Sequence, residues 1–374
     1  MTIKRPLSGI KVLDFSTLLP GPMASLLLAE AGASVVKVER PPFGDGMRAY
    51  EPKLGRDSLF FGLLNRGKSS IALDLKEPGA AARLRPMLEQ TDVLVEQFRP
   101  GVMDRLGLGF AAVSAINPKI IYCSITGYGQ DGPKALKAAH DLNYVAESGL
   151  LSLVADTDGT PKLPPTLIAD IGGGAYPAFM NILLGLLQAQ RTNRGCHIDV
   201  SMHECVLPFA YMSVGEGLGL GIWPQPNGLD TTGASPRYNI YKTADGRFLA
   251  AAPLEDQFWK NFCEIIELEA ALRDDSADRH ATLAAVRKAI ATKSADYWNA
   301  RFAAVDACVS VVLSMEEALA EPHFAARGVF DHRLNMAGNE VPAAPVPIAR
   351  VFREEPHAAE YPALGRQDGN LDGQ

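Results

Sequence analysis

Strictly alternating and fully apolar runs share the first 130 residues of this chain. "GIKVLDFS", "SVVKVER", "DVLVEQF" and "KIIYCSITG" are short runs rich in branched apolar residues, bounded by glycine, proline or charge, and read as buried strands. Between them lie longer segments of helical character: "GPMASLLLAEAGA", ending at Gly32, "AARLRPMLEQT" and the short "GVMDRLGLG". Strands separated by helices of this length predict βαβ units and a mostly parallel sheet. Ligands on such sheets bind beyond the carboxyl ends of the strands. Here those ends are Ser16 and Thr17, Glu39 and Arg40, Leu75 and Lys76, Phe98 and Arg99, and Thr126 and Gly127.

One run tests this reading. "GLLNRGKS" satisfies the phosphate-loop pattern G-x-x-x-x-G-K-S. That loop works only where a helix starts at the Lys-Ser, so that backbone N–H groups converge on phosphate. After Lys68, however, Ile71, Leu73 and Leu75 alternate with Ser70, Ala72 and Asp74, which predicts a strand. The element order argues against a nucleotide triphosphatase and for a turn leading into a strand. After the first strand, "TLLPGPMAS" carries Pro20 and Pro22 where a dinucleotide fingerprint needs glycines.

Further along, an apolar helix is expected from Asp170 to about Gln190, and "GCHIDVS" as one more strand. Around 213–236 the composition shifts to glycine, proline, asparagine and threonine, and a linker is read over 201–235. "YNIYKTADGRFLAAAP" predicts a hairpin turning at Asp245 and Gly246, followed by helices up to about 322. The domain reading is a large Rossmann-like domain over 1–200 completed by 325–374, a linker over 201–235, and a small α+β domain over 236–324.

Composition and charge narrow the function. The chain has 374 residues, 47% of them hydrophobic, and a net charge of −7, which makes nucleic acid a poor partner. Five scattered cysteines without a C-x-x-C pair suggest a reducing cytoplasm rather than a disulfide or zinc framework. No apolar leader follows Met1, and the longest apolar run is interrupted by Pro177 and Asn181, so neither a signal peptide nor a membrane span is expected. His203 and Glu204 begin a zinc-protease motif that Leu207 breaks, so no metal is expected.

Polar residues embedded in apolar sequence mark the candidate chemistry. Asp170 precedes Gly172, Gly173 and Gly174 at a helix start, where it could be a capping residue. Three glycines are unfavourable in a helix by roughly 1 kcal/mol each. Their presence suggests a close approach to the backbone, and a carboxylate beside bare N–H groups suits a developing oxyanion. "AHDLNY" and "PLEDQFW" supply His140, Asp141, Asn143 and Glu255.

These stretches, with "NRGKSSIALDLK", "DVLVEQFRPGVMDRLGLG", "GYGQDGP", "LIADIGGG" and "DACVSVVLSMEEALAEPH", resemble the family III CoA transferases, the CaiB/BaiF family, and within it the branch of α-methylacyl-CoA racemases. The resemblance implies acyl-CoA as substrate, with coenzyme A as part of that substrate and no separate cofactor. It implies that the backbone of Ala72, Leu73, Asp74 and Leu75 runs along the coenzyme, that Arg40 meets its adenine–phosphate end, and that Arg99 and Arg105 meet phosphates near Gln97 and Phe98. Ala138, Asp141 and Asn143 flank it. It also implies an interlocked homodimer, with Glu255 reaching His140 of the partner chain.

In the racemase branch His140 and Asp170 form an acid–base pair, and Asp141 or Glu255 orients the imidazole. In the transferases the aspartate is a nucleophile that carries the acyl group and then CoA. "AHDLNY", "PLEDQF" and the absence of a glycine run in "TTGASPRY" favour the racemase; the longer "YEPKLGRDSLFFGLLN" is transferase-like. A non-catalytic CoA-binding protein is the third reading, and the intact acid–base set argues against it.

Overall fold

The computed structural model describes residues 5–365. Strands β1 (Lys11–Asp14), β2 (Ser34–Glu39), β5 (Ser69–Ala72), β6 (Val93–Glu96), β7 (Ile121–Thr126) and β8 (Cys196–Ser201) form one parallel sheet in the order β5-β2-β1-β6-β7-β8. Strands β3 (Lys53–Leu54) and β4 (Asp57–Ser58) make a separate small hairpin. Counting only the sheet's own strands, the order is 3-2-1-4-5-6, the doubly wound Rossmann arrangement. It reverses direction between β1 and β6. The crevice at that switch point opens beside the residues following each strand.

Helices explain why the strands are apolar on both faces. Helix α1 (Pro20–Glu30) begins with prolines and buries Leu26, Leu27 and Leu28. Each buried leucine contributes about 2 kcal/mol. Helix α2 (Leu59–Asn65) packs near the C-terminal segment. On the opposite face, α3 (Ala80–Leu88), α4 (Val102–Arg105) and α5 (Phe110–Ile116) bury Leu84, Met103 and Val113 against Leu13, Leu94 and Tyr122.

The phosphate-loop lookalike is resolved by burial. Lys68 is 6% exposed, and its Nζ donates to Pro22 O at 2.8 Å, Ser25 Oγ at 2.7 Å and Asn65 Oδ1 at 2.8 Å, while Asp14 lies 3.5 Å away. Its donors are spent inside the protein. Burial pushes its pKa down to about 7 although Asp14 pulls upward. Lys37, also buried, pairs with Asp45 at 3.0 Å, and Asp45 accepts the Leu18 N–H. This cluster anchors the turn after β1.

Two compact units divide the chain. The first comprises residues up to 148, 165–208 and 323 onward; the second comprises 149–164 and 209–322. In the first, the C-terminal segment forms a small sheet of Arg333–Met336, Asn339–Pro342 and Ala358–Glu360, and buries Leu334 and Met336 beside Leu59 and Leu63. In the second, an antiparallel sheet built on the hairpin Asn239–Lys242 and Phe248–Ala251 packs Tyr241 with Trp259, Phe262 and Trp298. The expected linker is not wholly irregular: Tyr211–Leu220 is a helix. Its buried positions, Ser213 and Gly217, are small, so no broad apolar stripe betrays it in the sequence.

Candidate active site

Two cavities open at the carboxyl ends of the parallel strands, and Phe98 lines both. The larger, of about 620 Å³, lies over β1, β2 and β5, where Arg40, Leu73, Asp74, Leu75, Lys76 and Arg105 contribute to its wall. Arg40 Nε pairs with Asp74 Oδ2 at 3.1 Å. Lys76 and Arg105 form no ion pair among the described residues. The cavity is thus apolar with free cations at its edge, a form suited to a long ligand that ends in anionic groups.

The second cavity, of about 420 Å³, brings His140 and Asp170 together with Gln97, Arg99, Ala138, Asn143, Thr126, Tyr144 and Met202. His140 is the N-cap of α6 (Asp141–Glu147), and its backbone N–H donates to Asn143 Oδ1 at 3.0 Å. Asp170 lies in a π-helical turn, Ala169–Ala175, that leads into α7 (Tyr176–Thr192). Such turns are rare and often occur at functional sites.

Asp141 makes this turn possible. It is 6% exposed, and its Oδ1 accepts the N–H groups of Ala169 at 2.7 Å and Asp170 at 2.9 Å. Burial, then the negative charge of Asp141, push the Asp170 carboxyl up to about 6, while His140 pulls it down. A carboxyl poised near neutrality can take or give a proton at physiological pH. Tyr144 closes the floor: its hydroxyl donates to Ala139 O at 2.9 Å, and its ring lies so close to Gly127 that a Cβ there would sit 2.5 Å from it.

Several expectations change. Asp141 lines neither cavity; its carboxylate holds the Asp170 turn. Ala72 lines neither cavity. Arg99 joins the His140–Asp170 cavity, not the one with Arg40 and Arg105. Gly173 and Gly174 serve packing within the protein: a Cβ on Gly173 would sit 2.5 Å from Met202 O, and one on Gly174 3.0 Å from the Pro20 side chain. The N–H groups of Ala169 and Asp170 are taken by Asp141, and that of Ile171 by Leu167 O. Glu255 is the exposed N-cap of the helix Asp256–Ile265 in the second unit. Lys76 and Thr126, expected only as strand ends, line the two cavities; Tyr144 and Met202, to which the sequence assigns no role, are brought to the second by the fold.

A Rossmann-type sheet with a carboxyl and an imidazole in one cavity at its switch point defines an enzyme of the α/β class. The sequence profile of CoA-transferase family III matches residues 7–368, and the chain belongs to that family. It is 36% identical over 366 residues to α-methylacyl-CoA racemase of Mus musculus, covering 96% of this chain and 90% of that one. It is 34% identical to acetyl-CoA:oxalate CoA-transferase of Acetobacter aceti over 374 residues, covering 98% and 94%. The crystal structure of a CaiB/BaiF family protein from Brucella suis superposes with a TM-score of 0.82 at 27% identity, covering 97% of both chains. Among the described residues, no helix is long and apolar enough to cross a membrane.

Proposed function

We propose that this chain interconverts the enantiomers of 2-methylacyl-CoA thioesters by removing and returning the α-proton. The observation that carries the proposal is the meeting of His140 and Asp170 in one cavity, with Asp170 poised at about 6. The hydrogen beside a thioester carbonyl is weakly acidic, so its removal needs a positioned base. Inversion needs a second group that returns a proton to the other face. Asp170 as carboxylate and His140 as imidazolium serve one direction, and the reversed protonation serves the other. The coenzyme would lie along the larger cavity, its phosphates at Arg40, Lys76 and Arg105, and its thioester past Phe98. The working form in this proposal is an interlocked homodimer, with Glu255 contributed to the partner's site; mixing inactive His140→Ala and Glu255→Ala chains should restore activity.

A second reading, CoA transfer through an acyl and then a CoA derivative of Asp170, is favoured by the 34% identity to a CoA transferase over nearly the whole chain. One experiment separates the two. A single enantiomer of a 2-methylacyl-CoA is incubated in deuterated water, with and without a carboxylic acid acceptor. Inversion with α-deuterium incorporation, independent of acceptor, supports the racemase. Acceptor-dependent CoA transfer without α-deuterium overturns it.

A further inference from the structure

We infer that Gln97 is a catalytic hydrogen-bond donor: its side-chain NH2 group holds the acyl carbonyl oxygen of the thioester in the cavity with His140 and Asp170. The inference rests on the reading above only for the thioester itself. Negative charge gathers on that same oxygen in α-proton removal and in acyl transfer alike.

Gln97 follows β6 directly, in a turn fixed by the Phe98 N–H, which donates to Glu96 Oε2 at 2.8 Å. From there its side chain meets the start of α1, where Oε1 accepts the Gly21 N–H at 3.0 Å. The approach needs a glycine: a Cβ at position 21 would collide with Ser16 Cβ and lie 2.9 Å from that Oε1. Only the oxygen end of a carboxamide can accept an N–H, so this contact also decides which way the amide faces. The other end, Nε2, carries two N–H donors. No hydrogen bond among the described residues uses them. Nor is Nε2 one of the partnerless polar atoms shut away from solvent, and Gln97 borders the cavity of His140 and Asp170.

The chemistry requires such a donor. When a base takes the α-proton, the C–H electron pair becomes the C=C bond of the enolate, and the carbonyl π pair moves onto oxygen. Donors placed in advance stabilise that oxygen. The Asp170 turn has already committed the N–H groups of Ala169, Asp170 and Ile171. The start of α1 has none to spare: Pro20 and Pro22 carry no N–H, Gly21 gives its own to Gln97, and Met23 donates to Leu19 O at 2.9 Å. The other polar side chains of the wall are less suited. The Tyr144 proton goes to Ala139 O, Lys137 is paired with Glu147, and Thr126 Oγ1 is shut away from solvent. Arg99 and Asn143 are exposed, where water competes. Gln97 is partly buried, and the N–H it accepts lies at the positive end of a helix, which polarises the amide and strengthens its donors.

Two variants of the full chain separate the donor from its support. Gln97→Glu keeps an oxygen for the Gly21 N–H and loses the NH2 group; Gln97→Met loses both. Thermal melts at about pH 8 should show Gln97→Glu at least as stable as wild type, since a carboxylate suits a helix start, and Gln97→Met less stable. Exchange of the α-hydrogen of 2-methylbutanoyl-CoA with deuterated water should fall about 10²-fold in both variants, in kcat rather than KM, the cost of one lost donor to an oxyanion. The direct readout is the infrared band of that thioester labelled with ¹³C at its carbonyl. Bound to wild type, the band should lie at lower frequency than when bound to either variant. A band at one frequency in all three proteins overturns the assignment. So does exchange that survives in Gln97→Glu and falls only in Gln97→Met, which would leave the glutamine as a support for α1. A band shifted in wild type and restored in both variants, without any α-hydrogen exchange, would sink the racemase reading and leave Gln97 as the donor.

Discussion

Asp141 Oδ1 accepts two consecutive backbone N–H groups, those of Ala169 and Asp170, at 2.7 and 2.9 Å. One buried carboxylate thereby shapes the turn that carries Asp170 and, after burial, adds to its raised proton affinity. Asn and Ala at position 141 separate these effects. Asn keeps an oxygen acceptor but removes the charge, so the Asp170 carboxyl should fall from about 6 toward its ordinary value of 3.8. The acid limb of the α-hydrogen exchange profile should move to lower pH with it. Ala removes the acceptor too, and a reacting group displaced by an ångström can cost about 10²-fold in rate. A profile unchanged in Asp141→Asn would mean that burial alone sets the value.

Asp170 should cost stability at neutral pH. Its folded pKa, about 6, lies above the unfolded 3.8, so its proton is held more tightly in the folded chain. That contribution is complete below about 3.8 and is lost as pH rises through 6. Asp170→Asn should therefore be inactive yet more stable at pH 7, by about 1 kcal/mol once solvent screening of a half-buried group is allowed for. Thermal melts should show the gain shrinking toward pH 4. A variant less stable than wild type at pH 7 would contradict this.

Lys68 should prove a structural residue. Replacing it with Met leaves Asn65 and Pro22 O without their donor and Asp14 with one fewer cation. Removing one partner of a buried ion pair costs about 3–5 kcal/mol. Denaturant titration should show that loss, and nucleotide triphosphates should fail to stabilise wild type or variant.

The arginines should divide by cavity. Arg40→Ala and Arg105→Ala remove contacts remote from His140 and Asp170, so they should raise KM for the CoA ester and leave kcat nearly unchanged. Arg99→Ala alters the wall of the cavity that holds Asp170, so kcat should fall as well. Steady-state kinetics on the three variants decide it; an Arg99 effect confined to KM would return this residue to the phosphates.

Gly127→Ala should be damaging although the change is one methyl group. The added carbon would lie 2.5 Å from the Tyr144 ring, which the Ala139 carbonyl holds through the tyrosine hydroxyl. Overpacking of this kind costs about 1–3 kcal/mol. Activity should fall further than the melt, because the displaced ring lines the cavity. Wild-type activity in this variant would show that the floor is mobile.

Much of this protein is local in origin. The apolar runs at 11–14, 34–39, 93–96 and 121–126 are buried on both faces, and such runs between helices leave few alternatives to a parallel sheet. The alternation after Lys68 excluded a phosphate loop because it concerns a strand, and strand periodicity is written residue by residue. His140 and Asp170 stood out as polar residues in apolar surroundings. Only the tertiary structure decided the rest. Asp141 and Asp170 are 29 positions apart, and nothing in either stretch announces that one carboxylate takes the other's backbone N–H. Gly173 reads as a gap left for a ligand until the Met202 carbonyl is seen to fill it. Arg99 and Arg105 are six residues apart in one short segment, yet the turn at Phe98 delivers them to different cavities. Chain pattern encodes which residues are buried and with what period; which polar groups meet, and hence their proton affinities, depends on contacts between segments far apart in sequence.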